Sequence, residues 1–267
     1  MAAARLAACA ELGWRDAQGA LHAIAFTPLV IDGAVAAALP FDQAPVARLL
    51  EGASVAVLTL SDSRMALRGW TSWAQPVGVD VSVDRDGDWT WTGALDQEVR
   101  KYPPSRLLID TAIQRREHWW YVPRLVLRLR PRGAPTPIAR RGGPDDGVLF
   151  GDLGDGFTAT SVAVDDWDAD RVHLTPLEHT VRLGVRPAPA LVMTHDFSIP
   201  DMERWERYEV TGTRDGGWLR VAQRRGRPTL EPVPGLVRRL RLHWQRERAC
   251  RHALASYDDA SPPRSAT

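Results

Sequence analysis

Scarce residue types set the first limits on this chain. Cysteine occurs only as Cys9 and Cys250, near opposite ends and without the paired spacing of a metal site or a disulfide framework. We therefore expect a reducing compartment, the cytoplasm. Neither charge is in excess, because 34 basic residues face 33 acidic ones and the formal net charge is +1, which argues against recruitment by nucleic acid or by an anionic membrane. No apolar run approaches about 18 residues, so neither a membrane span nor a secretory leader is expected.

What the chain does have is the composition of a globular protein. Its 267 residues are 44% hydrophobic and 25% charged, which is enough for one large or two medium domains with buried cores. The basic residues are almost all arginine, and Lys101 is the only lysine. We attribute this bias to base composition rather than to function.

An internal repeat is the most informative pattern. The run that begins at Val30 (VIDGAVAAAL, then PFDQAPVARLLEGASVAVLTLSD) matches in order a run that begins at Val164 (VDDWDADRVHL, then TPLEHTVRLGVRPAPALVMTHDF). Each copy has a strand, an acidic turn, a second strand, an amphipathic stretch with one arginine and a third, strongly apolar strand. The repeat predicts two related β modules that pack against each other as a pseudo-dimer within one chain.

Strands with turn signals dominate the prediction for the first module. Alternating apolar residues and Asp-Gly turns predict hairpins, a capped amphipathic stretch predicts a short helix, and the polar segment before the last strand predicts further helices. The predicted strands are 22–31, 34–39, 54–61, 66–73, 77–83, 89–92 and 124–130, with helices at 42–51 and within about 95–120. Val79, Val81 and Val83 alternate with polar residues, as in a sheet with one buried face.

The second module is predicted to repeat this pattern more briefly. Its strands are expected at 157–164, 172–174, 190–195, 207–213 and 218–223, with a short helix near 177–183 and a basic C-terminal helix at 236–254 that turns Leu236, Leu240, Trp244 and Cys250 inward. Proline, glycine and charge mark a linker. The predicted division is a first split-barrel domain at 1–133, a linker at 134–147, a second domain at 148–257 and a disordered tail at 258–267. The predicted fold is mainly β: two tandem split β-barrels with pseudo-twofold symmetry, short helices and a C-terminal helix.

Together these residues resemble the pyridoxamine 5'-phosphate oxidase-like, FMN-binding split-barrel superfamily. The likeness covers about Leu21 to Arg130 and, more faintly, about Val148 to Gln223, and the Arg116–Arg124 segment (REHWWYVPR) is similar to a long-form branch. The resemblance rests on the turn Phe26-Thr27-Pro28-Leu29 and on the helix arginine that follows it, Arg48. The resemblance implies two split barrels with FMN bound at the interface between them.

The resemblance also implies which residues hold the cofactor. Thr27 and Arg48 in the first copy, and Thr175 and Arg182 in the second, stand where the family contacts the flavin phosphate. Arg68 is expected on a strand at the barrel mouth, and Trp119 and Trp120, between His118 and Tyr121, are suited to closing a planar pocket. Arginine suits a phosphate because its planar fork makes charge-assisted hydrogen bonds.

Each of these residues also has a structural interpretation. An arginine on an exposed helix is often only solvated, and Arg68 fits a cross-strand ion pair equally well. Trp70, Trp73, Trp89 and Trp91 are expected mainly in the core. His195 is a conceivable haem or metal ligand, but no nearby Cys/His motif accompanies it, so a satisfied buried histidine is the expectation.

Two functions follow from this sequence. The first is an FMN-binding protein, a possible flavin-dependent oxidoreductase acting on an unknown small-molecule substrate, since the cofactor itself supplies the redox chemistry. The second is a non-catalytic split-barrel protein that binds haem, a deazaflavin or no cofactor, with the second barrel as a structural partner. Asp42 and Gln43 stand where the family has a Ser or Thr before the arginine, which favours the second. Neither predicts nucleic acid or membrane as a partner, and the pseudo-dimer is expected to be able to pair again as a homodimer.

Overall fold

A computed structural model describes residues 2–60, 72–154, 156–198, 202 and 204–260, with side chains described as far as 257. The described residues form a mainly β fold with two multi-stranded antiparallel sheets, short helices and a long C-terminal helix. This architecture confirms the predicted fold class. None of the described helices carries an apolar stretch long enough to cross a bilayer.

The first sheet has eight strands in the order β2-β1-β5-β6-β7-β4-β3, with the short β8 paired to β6. Its neighbouring strands are antiparallel. The bounds are β1 Ala10–Arg15, β2 Leu21–Phe26, β3 Leu29–Ile31, β4 Ala34–Leu39, β5 Val55–Leu60, β6 Trp73–Asp84, β7 Arg124–Pro131 and β8 Thr136–Pro137.

The second sheet closes on itself as a barrel in the order β10-β11-β14-β13-β12-β9. All of its pairings are antiparallel as well. The bounds are β9 Asp146–Asp152, β10 Phe157–Val164, β11 Arg171–Pro176, β12 Ala188–Phe197, β13 Trp205–Asp215 and β14 Trp218–Gly226.

The two sheets share one pairing pattern. The spatial order in the first sheet is β1-β5-β6-β7-β4, and the corresponding order in the barrel is β9-β12-β13-β14-β11. The pair β2 and β3 occupies the position that β10 has in the barrel. β10 is continuous and pairs with both β9 and β11, whereas its counterpart is broken at Thr27-Pro28, where proline offers no N–H to a ladder. The pattern supports the repeat seen in the sequence, and its pseudo-twofold symmetry stays a prediction.

Helices connect and cover the first sheet. They are α1 Ala2–Leu6, α2 Ala44–Glu51, α3 Ala94–Lys101, α4 Arg106–Ile109, α5 Ala112–Glu117 and α6 Leu236–Ala260. Helix α6 follows the second barrel in the chain, yet its buried residues belong to the core of the first sheet: Cys250 is fully buried there, and Leu254 and Tyr257 pack beside it.

An apolar interface joins the first sheet to the second barrel, and we call it the seam. Ala23, Val57 and Ala74 of the first sheet share one cluster with Phe150 and Leu191 of the barrel. The contact is close, because a Cβ atom added at Gly13 of β1 would lie 2.2 Å from the ring of Phe150. The seam therefore requires glycine at this position.

Several local predictions are wrong. The segment 89–92 is not a strand: Asp84 accepts hydrogen bonds from the N–H groups of Gly87, Asp88 and Trp89, so the chain turns into a short 3-10 helix and β6 pairs with β7 instead. The helix expected near 177–183 is irregular chain.

The exposed half of α6 is another correction. Leu236, Leu240 and Trp244 were expected to face inward, but they are exposed, and only Cys250 of that set is buried. The first half of the helix extends beyond the sheet that its second half covers. The predicted strand 66–73 lies mostly outside the described residues.

Candidate functional site

A cavity of about 190 Å³ lies at the break between β2 and β3, and we call it the aromatic cavity. The first sheet, the start of β13 in the second barrel and helix α6 all contribute to its wall. It is lined by Ile24, Ala25, Phe26, Thr27, Leu29, Ala37, Ala38, Leu39, Pro40, Gln43, Glu98, Tyr102, Tyr121, Trp205, Arg207 and Arg246. The strand break thus coincides with the place where three parts of the chain meet.

Four aromatic side chains line the aromatic cavity, namely Phe26 at the end of β2, Tyr102, Tyr121 and Trp205. Tyr102 follows α3 directly and precedes two prolines, which prevent the helix from continuing. Tyr121 ends the 3-10 turn Trp119–Tyr121, and Trp205 begins β13. The rings of Tyr102 and Trp205 lie 6.2 Å apart between centroids. The arrangement offers apolar faces with phenol groups at their edges.

Two arginines place positive charge on the aromatic cavity. Arg246 donates from Nε to Asp42 Oδ2 at 3.1 Å, and its guanidinium lies 4.9 Å from the ring centroid of Tyr121. Burial works against its charge, but Tyr121 and Asp42 outweigh burial and hold the pKa of Arg246 above its ordinary range. Arg246 therefore stays positively charged at every physiological pH. Arg207 donates to the carbonyl of Ala23 at 2.9 Å and forms an ion pair with Glu209, Nε to Oε1, at 3.0 Å.

The remaining polar groups of this cavity are held in place by neighbours. Glu98 accepts from the hydroxyl of Ser105 at 2.6 Å and lies 3.4 Å from Arg124, and Arg124 is itself fully buried 4.0 Å from the Tyr121 ring centroid. Burial raises the pKa of Tyr102 to about 12. The phenol of Tyr102 is therefore a neutral hydrogen-bond donor.

A second cleft of about 350 Å³ adjoins the aromatic cavity. The two share Ala25, Gln43, Trp205 and Arg207, and the cleft adds Arg225 of β14. Cofactor sites usually measure about 300–1,000 Å³. The aromatic cavity alone is smaller than that, so a cofactor-sized ligand needs both spaces, with Trp205 and Arg207 between them.

Lys101 holds the broken strand at the edge of this site. Its ammonium donates to the carbonyl of Pro28 and to that of Ala4, the latter at 2.6 Å. Burial lowers the pKa of Lys101 to about 7, with smaller contributions from Arg100 and Arg5. The only lysine of the chain thus satisfies a carbonyl that a continuous strand would have paired.

A buried polar cluster lies at the seam, and we call it the seam cluster: Cys9, Glu11, Thr59, Arg141 and His195. Glu11 Oε1 contacts both Arg141 and, at 2.9 Å, His195 Nε2, while Glu11 Oε2 accepts from Thr59 at 2.7 Å. Cys9 Sγ lies 3.6 Å and Arg141 3.1 Å from His195 Nε2. Burial opposes the charge of Glu11, but Arg141 and His195 outweigh it and lower the pKa of Glu11 to about 2.

The seam cluster does not have the geometry of a catalytic triad. A Cys-His-Glu triad places the thiol on one ring nitrogen and the carboxylate on the other, whereas here both approach Nε2 of His195. A further cavity of about 310 Å³ reaches Arg141 and His195 from outside, and we call it the polar cavity. The cluster is suited to sharing one cation among several donors.

The structure brings one of the predicted phosphate-site residues to the aromatic cavity. Thr27 lines it. Arg48 lies on the exposed face of α2, 5.2 Å over the ring of Tyr257, and Arg182 is exposed in the loop between β11 and β12. Thr175 is exposed on β11, 3.5 Å from His173. None of these last three lines a cavity described above, so their contact with phosphate stays a prediction.

The other predicted site residues have mixed positions. Trp120 is buried and packs on Tyr121 and His243, so it supports the aromatic cavity from behind. Trp119 is half exposed, with Arg251 lying 5.0 Å from its ring centroid. Arg68 and Trp70 lie outside the described residues.

Sequence reasoning missed the residues that converge on these sites. Arg207 and Arg246 were read as parts of a strand and a basic helix, and only their approach to aromatic residues in space distinguishes them from other arginines. Cys9 and Glu11 alternate in CAELGW, a pattern that marks one face of a strand. They meet His195 across 184 or more positions of chain, and no local pattern reports such a distance.

Comparison with known proteins gives little guidance. No family model and no curated protein matches the chain. Among solved structures, it is similar to HutZ, the heme storage protein from Vibrio cholerae, at 15% identity and a TM-score of 0.36, over 51% of this chain and 89% of that one. It is also similar to a heme binding protein from Mycobacterium smegmatis, at 13% identity and a TM-score of 0.30, over 95% and 96%. Both scores are too low to carry an argument about function.

Proposed function

We propose that the chain binds a planar aromatic anion, with its ring in the aromatic cavity and its acidic groups on Arg207 and Arg246. One observation carries this proposal: the first sheet, the second barrel and α6 each contribute to a cavity that combines four aromatic side chains with two half-buried arginines. Such pockets, mostly apolar with a few convergent polar groups, are the usual form of a ligand site.

The energetic requirement supports an anionic ligand. An arginine that meets a carboxylate or phosphate away from water contributes about 1.5–3 kcal/mol, and an aromatic contact adds about 0.5–1.5 kcal/mol. Before the costs of association, the two arginines and the aromatic contacts contribute roughly 5–12 kcal/mol, which corresponds to dissociation constants from submillimolar to nanomolar. Each arginine also has a carboxylate partner, Glu209 for Arg207 and Asp42 for Arg246, so an acidic group of the ligand would share each guanidinium with that partner.

FMN is the first candidate, because the resemblance of the sequence implies it and the residues fit it. The isoalloxazine ring suits Tyr102, Tyr121 and Trp205, and the phosphate suits Arg207 and Arg225 in the adjoining cleft. Bound FMN would supply hydride chemistry, while the protein would supply position and charge.

Haem is the second candidate, and the separation of the arginines favours it. Arg207 on β13 and Arg246 on α6 come from different elements, as two propionate groups would require. Among the residues that the structure describes, those that line the aromatic cavity include no His, Cys or Met, so iron would be held there by a tyrosine. The raised pKa of Tyr102 opposes ligation by that residue.

Titration of the purified chain with FMN and, separately, with haem tests the proposal. We expect quenched flavin fluorescence or a shifted Soret band, and about 10- to 100-fold weaker binding in Arg207→Gln. Arg48→Gln is the matched control, since Arg48 is exposed and lines no described cavity, and it should bind as the parent does. Binding lost in Arg48→Gln but kept in Arg207→Gln would instead favour the phosphate site predicted from the sequence. Failure of both ligands to bind would overturn the proposal.

A further inference from the structure

We propose that Cys9, Glu11 and His195 form a binding site for a divalent transition-metal ion of the zinc type. The three side chains are buried, and their Sγ, carboxylate and ring-nitrogen atoms lie within 4.8 Å of one another. Sulfur, imidazole and carboxylate are the ligands that zinc takes in proteins. This inference is independent of the ligand proposed for the aromatic cavity.

The spacing of the donor atoms fits a common ion. Bond lengths of about 2.0–2.3 Å to zinc place neighbouring ligand atoms about 3–4 Å apart. His195 Nε2 lies 2.9 Å from Glu11 Oε1 and 3.6 Å from Cys9 Sγ. All three atoms therefore converge on one point, whereas a proton relay would use both nitrogens of the imidazole.

The surroundings of Glu11 have the form of a ligand shell. Glu11 lies on β1 and Thr59 on the neighbouring β5, where the Thr59 hydroxyl donates to Oε2 at 2.7 Å. That bond holds one carboxylate oxygen and directs Oε1 toward His195 on β12. Hydrogen bonds of this kind orient the ligands of metal sites, and strands give the ligands fixed positions.

Arg141 supplies the positive charge of the seam cluster in the described structure. Its guanidinium contacts Glu11 Oε1 and lies 3.1 Å from His195 Nε2, so it stands at the place of the ion. It also lines the polar cavity of about 310 Å³, which gives the ion a path inward and the guanidinium room to move outward. On binding, Cys9 releases its thiol proton to solvent, and one thiolate and one carboxylate then balance the two charges of the ion.

Cobalt(II) titration of the chelator-treated, full-length protein tests this site. We expect one ion per chain, release of protons and a near-ultraviolet thiolate-to-cobalt band, which Zn²⁺ abolishes by displacement. Cys9→Ser should lose the band, whereas Cys250→Ala, which changes the other buried cysteine, should keep it. Thr59→Ala should bind about tenfold more weakly, and Arg141→Gln should bind more tightly because the competing cation is gone.

A second measurement covers variants that fold poorly. In Cys250→Ala, bound Zn²⁺ should slow alkylation of Cys9 by a thiol reagent and raise the melting temperature with metal concentration. A cobalt band that persists in Cys9→Ser would overturn the proposal. So would the absence of any band or protection in both the parent and Arg141→Gln, which would show that the cluster is an ion pair alone.

Discussion

The first sheet and the second barrel are built on one pairing pattern, and they differ where the chain interrupts it. β10 runs unbroken between β9 and β11, while Thr27-Pro28 divides its counterpart into β2 and β3. The connection from β6 to β7 holds three helices, whereas Gly216-Gly217 alone joins β13 to β14. The aromatic cavity lies beside the interrupted strand. The comparison teaches that one copy of a repeat can stay closed for stability while the other opens to form a site.

The seam joins the core of the first sheet to that of the barrel. We therefore expect Phe150→Ala to cause the largest loss in the free energy of unfolding. The ring is fully buried between the barrel and the first sheet, and its removal leaves a cavity that costs about 4 kcal/mol. Urea unfolding monitored by tryptophan fluorescence and circular dichroism measures it. We expect one transition at a lower midpoint for both probes. Two separate transitions, with only one shifted, would contradict a shared core.

Replacement of Arg214 tests the loop between β11 and β12 of the closed barrel. Where the first copy has α2, the second has a loop whose Gly184 carbonyl is held by Arg214, together with the carbonyls of Asp152 and Gly216. Arg214→Met removes the partner of these half-buried carbonyls and should lower the free energy of unfolding by about 2–3 kcal/mol. Urea unfolding of Arg220→Met, a change on the exposed face of β14, provides the control. Equal stability of the two variants would show that the loop does not need this side chain.

The pH dependence of the free energy of unfolding tests the role of Lys101 at the broken strand. Its pKa is lowered to about 7 in the folded chain, from 10.5, so between these values the unfolded chain binds the extra proton and the free energy of unfolding rises with pH. Below about pH 7 both states are protonated, and the cost of the buried charge is then fully present. From pH 7 to 9 we expect a gain of about 2 kcal/mol relative to Lys101→Met, measured by urea unfolding at each pH. A constant difference between the two proteins would contradict it.

Replacement of Thr111 tests the helical insertion of the first copy. We expect it to cause the smallest loss in the free energy of unfolding. This residue begins α5 with a capping box, in which Thr111 and Gln114 bond each other's backbone N–H groups. Thr111→Ala should cost about 1 kcal/mol, and Thr111→Ser, which keeps the cap, should cost almost nothing. Hydrogen exchange should show faster opening at 111–117 and unchanged rates in the second barrel. Faster exchange in both halves would mean that the insertion stabilises the entire molecule.

Local chemistry explains which parts of the fold the sequence could predict. The Asp32-Gly33 hairpin followed from its turn residues, and both adopt the positive φ angles, 49° and 76°, that this turn needs. The strand predicted at 89–92 failed because the Asp84 carboxylate, an acceptor with three backbone partners, outweighed the alternating pattern. The segment expected as a helix near 177–183 is instead bonded to another strand at its start, where the N–H of Leu177 donates to the carbonyl of Ser161 at 2.9 Å.

The candidate sites were predictable only in part. Thr27, predicted from a local turn, lines the aromatic cavity, and its contact with a cofactor stays a prediction. His195 was noted as a single histidine without partners nearby in sequence. Arg207 and Arg246 line one cavity because α6 returns from the second barrel to pack on the first sheet. Arg48 has the expected position in the sequence, but its helix turns it toward Tyr257.

The sequence by itself determined the mainly β class, the repeated module and the turns, because hydrophobic period and turn chemistry act over a few residues. The tertiary structure alone decided which arginines share a cavity and which donors surround His195. Those groupings arise from strand order and from the packing of the seam, which join positions that are distant in the sequence. No local propensity encodes them, because their energy exists only when both halves are folded against each other.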